Sequence, residues 1–266
     1  MSVEIASARR TNAVTDMGRA FHSRYFDSTL NLREIVTDAA LNHLTQRREH
    51  VMEPTIVWYT QSSLRIDAGG MHIYIDPYNV PPGEPPADVI LISHEHGDHL
   101  SPEDINRVRT PDSVVHASRL AAEAVGGNVQ VLLPGNSVSI GALRVRAVPA
   151  YTVTKFRANG EANHPRAHDH LGLILEVDGL KFYAAGDTDV IPAMESFGPV
   201  DYAFLPVSGR AVMTAEEAAE AVRLVRPSVA IPVHYGAMIG SIDDARRFAE
   251  LVPDEVRVWI MTSSSS

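Results

Sequence analysis

Residues 92–104 read ISHEHGDHLSPED, and His94, His96, Asp98 and His99 fall within six positions of it. Three of the chain's twelve histidines thus share one turn with a carboxylate. In extended backbone leaving a strand, positions i and i+2 point the same way, so His94 and His96 can reach one ion. Asp98 and His99 come a turn later and aim at a neighbouring point. Imidazole and carboxylate suit zinc, manganese or iron. Two such ions about 3.5–4 Å apart would bind a bridging hydroxide and flank both the attacked and the leaving oxygen.

A solvated turn with chance histidines is the alternative, and two further segments weigh against it. GDTD at 186–189 puts Asp187 directly after an apolar strand, where a carboxylate can bridge two ions. VHYG at 233–236 puts His234 directly after another. Metal sites at sheet edges take their ligands from such strand ends.

The elements that must position these groups follow from pattern. TIVWY, SLRID and MHIYID, rich in β-branched and aromatic residues, read as strands separated by turn signals such as Ala68-Gly69-Gly70. Pro81, Pro82, Pro85 and Pro86 make a loop before the buried-type strand DVILIS. Ser101-Pro102-Glu103-Asp104 then has the chemistry of a helix start: a capping hydroxyl, proline in the first turn and acids against the dipole. The cluster therefore lies between a strand end and a helix start.

Further on, SVVHAS, VQVLL, SVSI and LRVRAVPA read as strands, with a short alanine-rich helix at 118–125. After a polar loop at about 152–168, LGLILEVDG and LKFYAAGDT form a hairpin through Asp178-Gly179. VDYAFLPVS and PSVAIPVHYG are strands; Thr214 with Glu217 caps one helix and Ser241 another, before VRVWI. The order runs from β-rich to α twice over.

The first 53 residues differ. Asn31 with Glu34 resembles a capping box, and Leu32, Ile35, Val36, Ala39, Ala40 and Leu44 recur at helical spacing. An added helix packed on the main domain is expected, with a dimer arm or an active-site cover as alternatives. The division is thus 1–53 as a helical extension, 54–262 as the main domain and 263–266 as a disordered tail.

Composition narrows the chemistry. The 266 residues are 45% hydrophobic and 21% charged, as in ordinary soluble globular proteins. A formal charge of -10 argues against a general nucleic-acid binder, which needs an excess of Lys and Arg. The absence of cysteine removes thiolate ligands, cysteine nucleophiles and disulfides together, so a metal must take nitrogen and oxygen donors. No apolar run approaches the roughly 20 residues of a membrane span, and the start does not read as a signal peptide. A cytoplasmic protein without membrane or nucleic-acid partners is expected.

TIVWYTQSSLRID, IYIDP, SHEHGDH, AAGDTD and PVHYG together resemble the metallo-β-lactamase superfamily of metal-dependent hydrolases, over about residues 55–260. SHEHGDH matches its HxHxDH motif without a gap. The likeness is greatest to a branch of uncharacterised and lactonase-like hydrolases, similar to ascorbate-6-phosphate lactonase, with a GDT segment and a late PxHY. The resemblance implies an α/β (α+β) chain folded as a four-layer αββα sandwich, with metals at one sheet edge. By it His94 and His96 would bind a first ion, Asp98, His99 and His234 a second, and Asp187 would bridge them. Asp98 would also orient the attacking hydroxide or accept its proton. Zinc or manganese is the expected pair of ions.

Two positions depart from that pattern. Many relatives carry a histidine after the strand that here reads RVRAVPAY, where this chain has Tyr151. Of His164, His168 and His170 in NHPRAHDHLG, the HP dipeptide makes His164 the expected remaining ligand, with His168 and His170 as loop residues. Water in that position, or a single ion, is the alternative. Gln61 stands where relatives often show histidine and is expected to support the site or the fold.

Lys155 and Arg157 in TVTKFRANGE, with Arg210 after VDYAFLPVS, belong to loops that border the cleft in this family and would favour an anionic substrate. Solvated loop charges are the equal alternative. Tyr235 would donate to a developing oxyanion or simply pack. His22, His43, His50, His72 and His116 show no spacing pattern and are expected at the surface or satisfied. The expected activity is hydrolysis of a small, anionic ester, lactone or phosphoester. The alternative is a non-hydrolytic redox or ligand-sensing metal protein of the same fold. β-Lactam hydrolysis does not follow from a shared fold. A homo-oligomer through the N-terminal helix is a further expectation.

Overall fold

The computed structural model describes residues 53–264, within the second of two compact units, Met52–Ser266. The helix expected from Asn31 and Glu34, the oligomer through it, and His22, His43 and His50 lie outside the described residues.

Alternation in the first strands puts one set of side chains on each sheet face. β1 (Thr55–Thr60), β2 (Ser63–Ala68) and β3 (Met71–Ile75) form an antiparallel meander. β4 (Val89–Ile92), β5 (Val114–Ala117) and the two-residue β6 (Gln130–Val131) extend it in parallel, giving a six-stranded sheet in chain order. Parallel neighbours need crossovers: the proline-rich loop makes the one from β3 to β4, and α1 (Pro102–Val108) and α2 (Arg119–Val125) supply the next two. Ser101 caps α1 as its chemistry dictates, its hydroxyl accepting from the Asp104 amide at 3.2 Å.

The second sheet repeats the plan. β7 (Ser137–Ile140), β8 (Leu143–Pro149), β9 (Leu171–Val177) and β10 (Leu180–Ala184) are antiparallel. β11 (Val200–Pro206), β12 (Pro227–Val233) and β13 (Arg257–Val258) then add in parallel. The β9–β10 hairpin turns through Asp178 and Gly179, both left-handed at φ 51° and 75°, as a tight two-residue turn requires. α3 (Ala215–Val225) opens with the full Thr214–Glu217 capping box, and α4 (Ile242–Leu251) with that of Ser241 and Asp244.

The layers follow from what each face buries. Leu64, Ile66, Ile73, Ile75, Val89 and Leu91 face the second sheet, while Tyr59, Tyr74, Ile90 and Ile92 pack with Ile105, Val108 and Ala121 beneath α1 and α2. In the second sheet Leu173, Ala184 and Phe204 meet Leu64 and Ile75 across a small cavity. The adjacent row, Ile174, Tyr183, Ala203 and Ala230, points away from it, toward α3 and α4. This is the αββα sandwich. Truncating one of its buried aromatics, such as Phe204, to alanine would cost about 3–5 kcal/mol.

Two edge details differ from expectation. β6 and β13 are shorter than VQVLL and VRVWI, each pairing only two residues with one neighbour. Ser263 and Ser264, expected in a disordered tail, bond to β1: the Ser264 amide donates to Trp58 O at 2.9 Å and the Ser263 hydroxyl to Tyr59 O. Among the described residues no helix is long and apolar enough to cross a membrane.

Candidate metal centre

The carboxyl ends of the parallel strands converge on one edge, where α/β sheets commonly bind ligands. Asp76 follows β3, the Ser93–His99 turn follows β4, Asp187 follows β10, Ser208 follows β11 and His234 follows β12. The loop between β8 and β9 brings in His164. Backbone geometry here is special. Gly186 has φ 63°, and a Cβ on it would lie 2.5 Å from Leu171 O, so only glycine lets the chain reach Asp187 this way. Gln61, Asp76 and His234 are left-handed although none is glycine (φ 45°, 47° and 59°). Such conformations persist only where surrounding contacts hold them; the Gln61 carbonyl accepts from both the His234 amide and the Trp58 indole.

The side chains form two groups around one carboxylate. His96 Nδ1 lies 3.1 Å from His94 Nε2 and 3.1 Å from His164 Nε2. On the other side, Asp98 Oδ2 is 3.4 Å from His234 Nε2 and 3.9 Å from His99 Nε2. Asp187 stands between them. Its Oδ2 is 3.2 Å from His164 Nε2, 3.3 Å from His234 Nε2 and 3.9 Å from His94 Nε2, and its Oδ1 is 3.2 Å from His99 Nε2. His99 Nε2, His234 Nε2 and Asp187 Oδ1 are buried with no hydrogen-bond partner. Buried polar atoms are rarely left so. Nitrogen and oxygen donors gathered around shared points, three of them without a partner of their own, are what a divalent ion requires, so the residues fit a metal.

The far side of each ring is held in turn. His94 Nδ1 meets Ser93 Oγ at 2.9 Å, His99 Nδ1 meets Asp76 Oδ2 at 2.8 Å, His164 Nδ1 meets Ala211 O at 3.1 Å and His234 Nδ1 meets Ser208 Oγ at 3.3 Å. Such contacts fix tautomer and orientation, and raise the basicity of a ligating histidine. Asp76 also accepts from the Ser93 amide and hydroxyl, both at 2.6 Å.

Burial and neighbouring charge divide the histidines. Burial pushes His94 well below its ordinary pKa, aided by the nearby His99. Burial and then His164 take His96 down to about 4. At His99 burial acts the same way, but the Asp187 and Asp76 carboxylates outweigh it and hold the group well above its ordinary value. His234 is likewise raised to about 9, with Asp187 and Asp98 outweighing burial. Burial would raise the carboxyls of Asp98 and Asp187, yet the surrounding imidazoles keep both well below the usual range.

The structure thus brings together His94, His96, Asp98, His99, His164, Asp187 and His234. Gln61 joins them, its Nε2 donating to Asp98 Oδ2 at 3.4 Å. The expected substrate-binding residues separate. Arg157 borders the centre, its Nη2 3.2 Å from His96 Nε2 and 3.1 Å from Asn163 O. Arg210 is exposed in the turn that also presents Ala211 O to His164.

Lys155 is a correction: its ammonium is spent on Asp189 at 2.8 Å and on Glu217, so it is not free for a substrate. Tyr235 is another. Its ring packs on Trp58 at 4.9 Å and lines a groove with Ile242, Ile260 and Met261. His170, expected in a loop, is buried, and so is His116, whose Nδ1 has no partner. His72 pairs with Asp67 at 2.8 Å. Asp76, Ser93 and Ser208 went unremarked in the sequence, although Asp76 follows a strand just as Asp187 does.

Comparison with known proteins agrees with this geometry. Residues 55–234 match the beta-lactamase superfamily domain. A UPF0173 metal-dependent hydrolase of Thermococcus onnurineus is 32% identical over 204 residues, covering 73% of this chain and 90% of that one. The crystal structure of a candidate metal-dependent hydrolase from Parabacteroides distasonis is 36% identical, with a TM-score of 0.71 over 79% of this chain and 94% of that one. Igni18, a metallo hydrolase from Ignicoccus hospitalis, shares the fold at 22% identity, with a TM-score of 0.61 over 78% of this chain and 94% of that one.

Proposed function

We propose, for a chain that belongs to the beta-lactamase superfamily and is a metal-dependent hydrolase, that it cleaves a small anionic ester, lactone or phosphoester at a two-ion centre. The observation that carries this reading is the placing of Asp187, whose carboxylate lies 3.2–3.9 Å from imidazole nitrogens of both ligand groups. His94, His96 and His164 would hold one ion, Asp98, His99 and His234 the other, and Asp187 would serve both. Zinc and manganese suit this all-nitrogen and oxygen donor set. Such ions, when bound, supply Lewis acidity and bring the acidity of water toward neutrality.

The chain's own groups do the rest. Asp98 is partly open to the cleft, its side chain 17% exposed. Held ionised, it accepts a hydrogen bond from water and aims that water, and Gln61 limits its rotation. Arg157 selects for charge. A guanidinium only donates, so its contact with His96 Nε2 needs a lone pair there. With an ion held at His96 Nδ1, Nε2 would carry the hydrogen and Arg157 would be free to meet a substrate anion.

The test is hydrolysis of a panel of phosphorylated lactones, carboxylate esters and phosphodiesters by the zinc- or manganese-loaded chain. Anionic members should turn over, and activity should vanish with a chelator and in Asp98→Ala and His99→Ala. Full activity in both variants overturns the reading. A metal-loaded chain inert on every ester overturns hydrolysis of this class and leaves a non-hydrolytic metal protein.

A further inference from the structure

Glu95 lies between two of the metal-binding candidates, yet it belongs to a different cluster. Its Oε2 is 3.1 Å from His170 Nε2 and its Oε1 is 3.9 Å from His168 Nδ1. One ligand atom from each of Glu95, His168 and His170 lies within 4.8 Å of the other two. His170 is 2% exposed. Neither of its ring nitrogens has a hydrogen-bond partner, and the same holds for His168 Nδ1 and Glu95 Oε2.

A ring N–H and a carboxylate oxygen this close would ordinarily align and bond. Here they approach without aligning. The same pattern marks the main centre, where His99 Nε2 and Asp187 Oδ1 stand 3.2 Å apart and neither has a hydrogen-bond partner. Donors that converge in this way can take a cation between them as well as pair with one another. Two imidazoles and a carboxylate are a donor set that zinc takes while keeping a position open to water or ligand.

We propose that Glu95, His168 and His170 form a third cation site, separate from the pair, for a zinc-like divalent ion. It is the outer site, since the His168 side chain is 41% exposed and Glu95 24%. It is also close to the pair: the His170 ring lies 4.8 Å from that of His94 and 5.8 Å from that of His96. An ion there ties the turn after β4 to the 3-10 turn Arg166–His168, in the loop that carries His164. It would brace the loop and add positive charge beside the cleft, favouring anionic substrates. This site stands whether or not the pair performs hydrolysis.

Zinc content of the full chain after gel filtration, with anomalous diffraction at the zinc edge, tests it. The wild type should carry about three zinc ions, and Glu95→Gln and His168→Gln about two each. His168→Gln alters a half-exposed loop residue, so it keeps the test valid should Glu95→Gln fold poorly. The anomalous map should show a peak between Glu95 and His170. Equal zinc content in wild type and variants, or peaks at the pair with none at Glu95, overturns the proposal. A peak at Glu95 with none around Asp187 upholds it and overturns the two-ion reading instead.

Discussion

His99 sets its Nδ1 2.8 Å from the Asp76 carboxylate while its Nε2 faces Asp187 at 3.2 Å. Asp76 therefore decides which nitrogen of His99 is offered to an ion. Three donors converge on it: the His99 ring and the amide and hydroxyl of Ser93. An amide in its place has a single oxygen and would turn an N–H toward one of them. Asp76→Asn should weaken metal binding by about 10–100-fold, read by competition with a chromogenic chelator. Unchanged affinity would mean that His99 does not act as a ligand.

The uneven proton affinities predict uneven metal uptake. In the metal-free chain His94 and His96 are neutral at pH 7, His96 protonating only at about 4. His234 keeps its proton up to about 9, and His99 is raised as well. Loading at pH 7 should release protons from the Asp98–His99–His234 side, and affinity there should rise with pH toward about 9. An indicator dye in weak buffer measures the release; its absence sinks the assignment.

The same shift has a consequence for stability. His234 is raised above its ordinary value of about 6.5, so its carboxylate contacts contribute fully below that pH and are lost as pH rises through about 9. The melting temperature of the chelator-treated chain should fall across this window. The loaded chain should not follow it.

Lys155 is predicted to act on stability and not on substrate binding. Its ammonium is nearly buried against Asp189, whose other oxygen takes the Val153 and Thr154 amides at 2.7 Å. Lys155→Met strands a buried carboxylate, at a cost of about 3–5 kcal/mol in a urea titration. KM for an anionic substrate should stay within about twofold, because the lysine is already paired. A large rise in KM with intact stability would restore it to the substrate site.

Tyr235→Phe should leave both kcat and stability nearly unchanged. The hydroxyl is buried without a hydrogen-bond partner, and the ring is held by Trp58. Removing an unsatisfied group leaves no new one behind. A hundredfold fall in kcat would return the hydroxyl to the chemistry.

The strands and most of the ligand candidates were legible because they depend on local pattern, whereas the αββα sandwich followed from the resemblance alone. β-Branched and aromatic residues between turn signals mark strands such as β2 and β3, and His94, His96, Asp98 and His99 announce themselves by type and spacing near a strand end. Asp187 and His234 follow strands in the same way. Long-range pairing is what the sequence conceals. Nothing near Lys155 signals Glu217, 62 positions on, and so the lysine read as a free cation. His170 looked like its loop neighbour His168, although one is buried and the other is not. His164 could be singled out only by resemblance, because its loop folds back over a long polar stretch without periodicity.

One carboxylate, Asp187, is proposed to serve two ions. Anomalous diffraction from crystals of the zinc-loaded chain tests it most directly. Two peaks about 3.5–4 Å apart should flank Asp187, one beside His94, His96 and His164 and one beside Asp98, His99 and His234. A single peak beside Asp187, or none there, would contradict it.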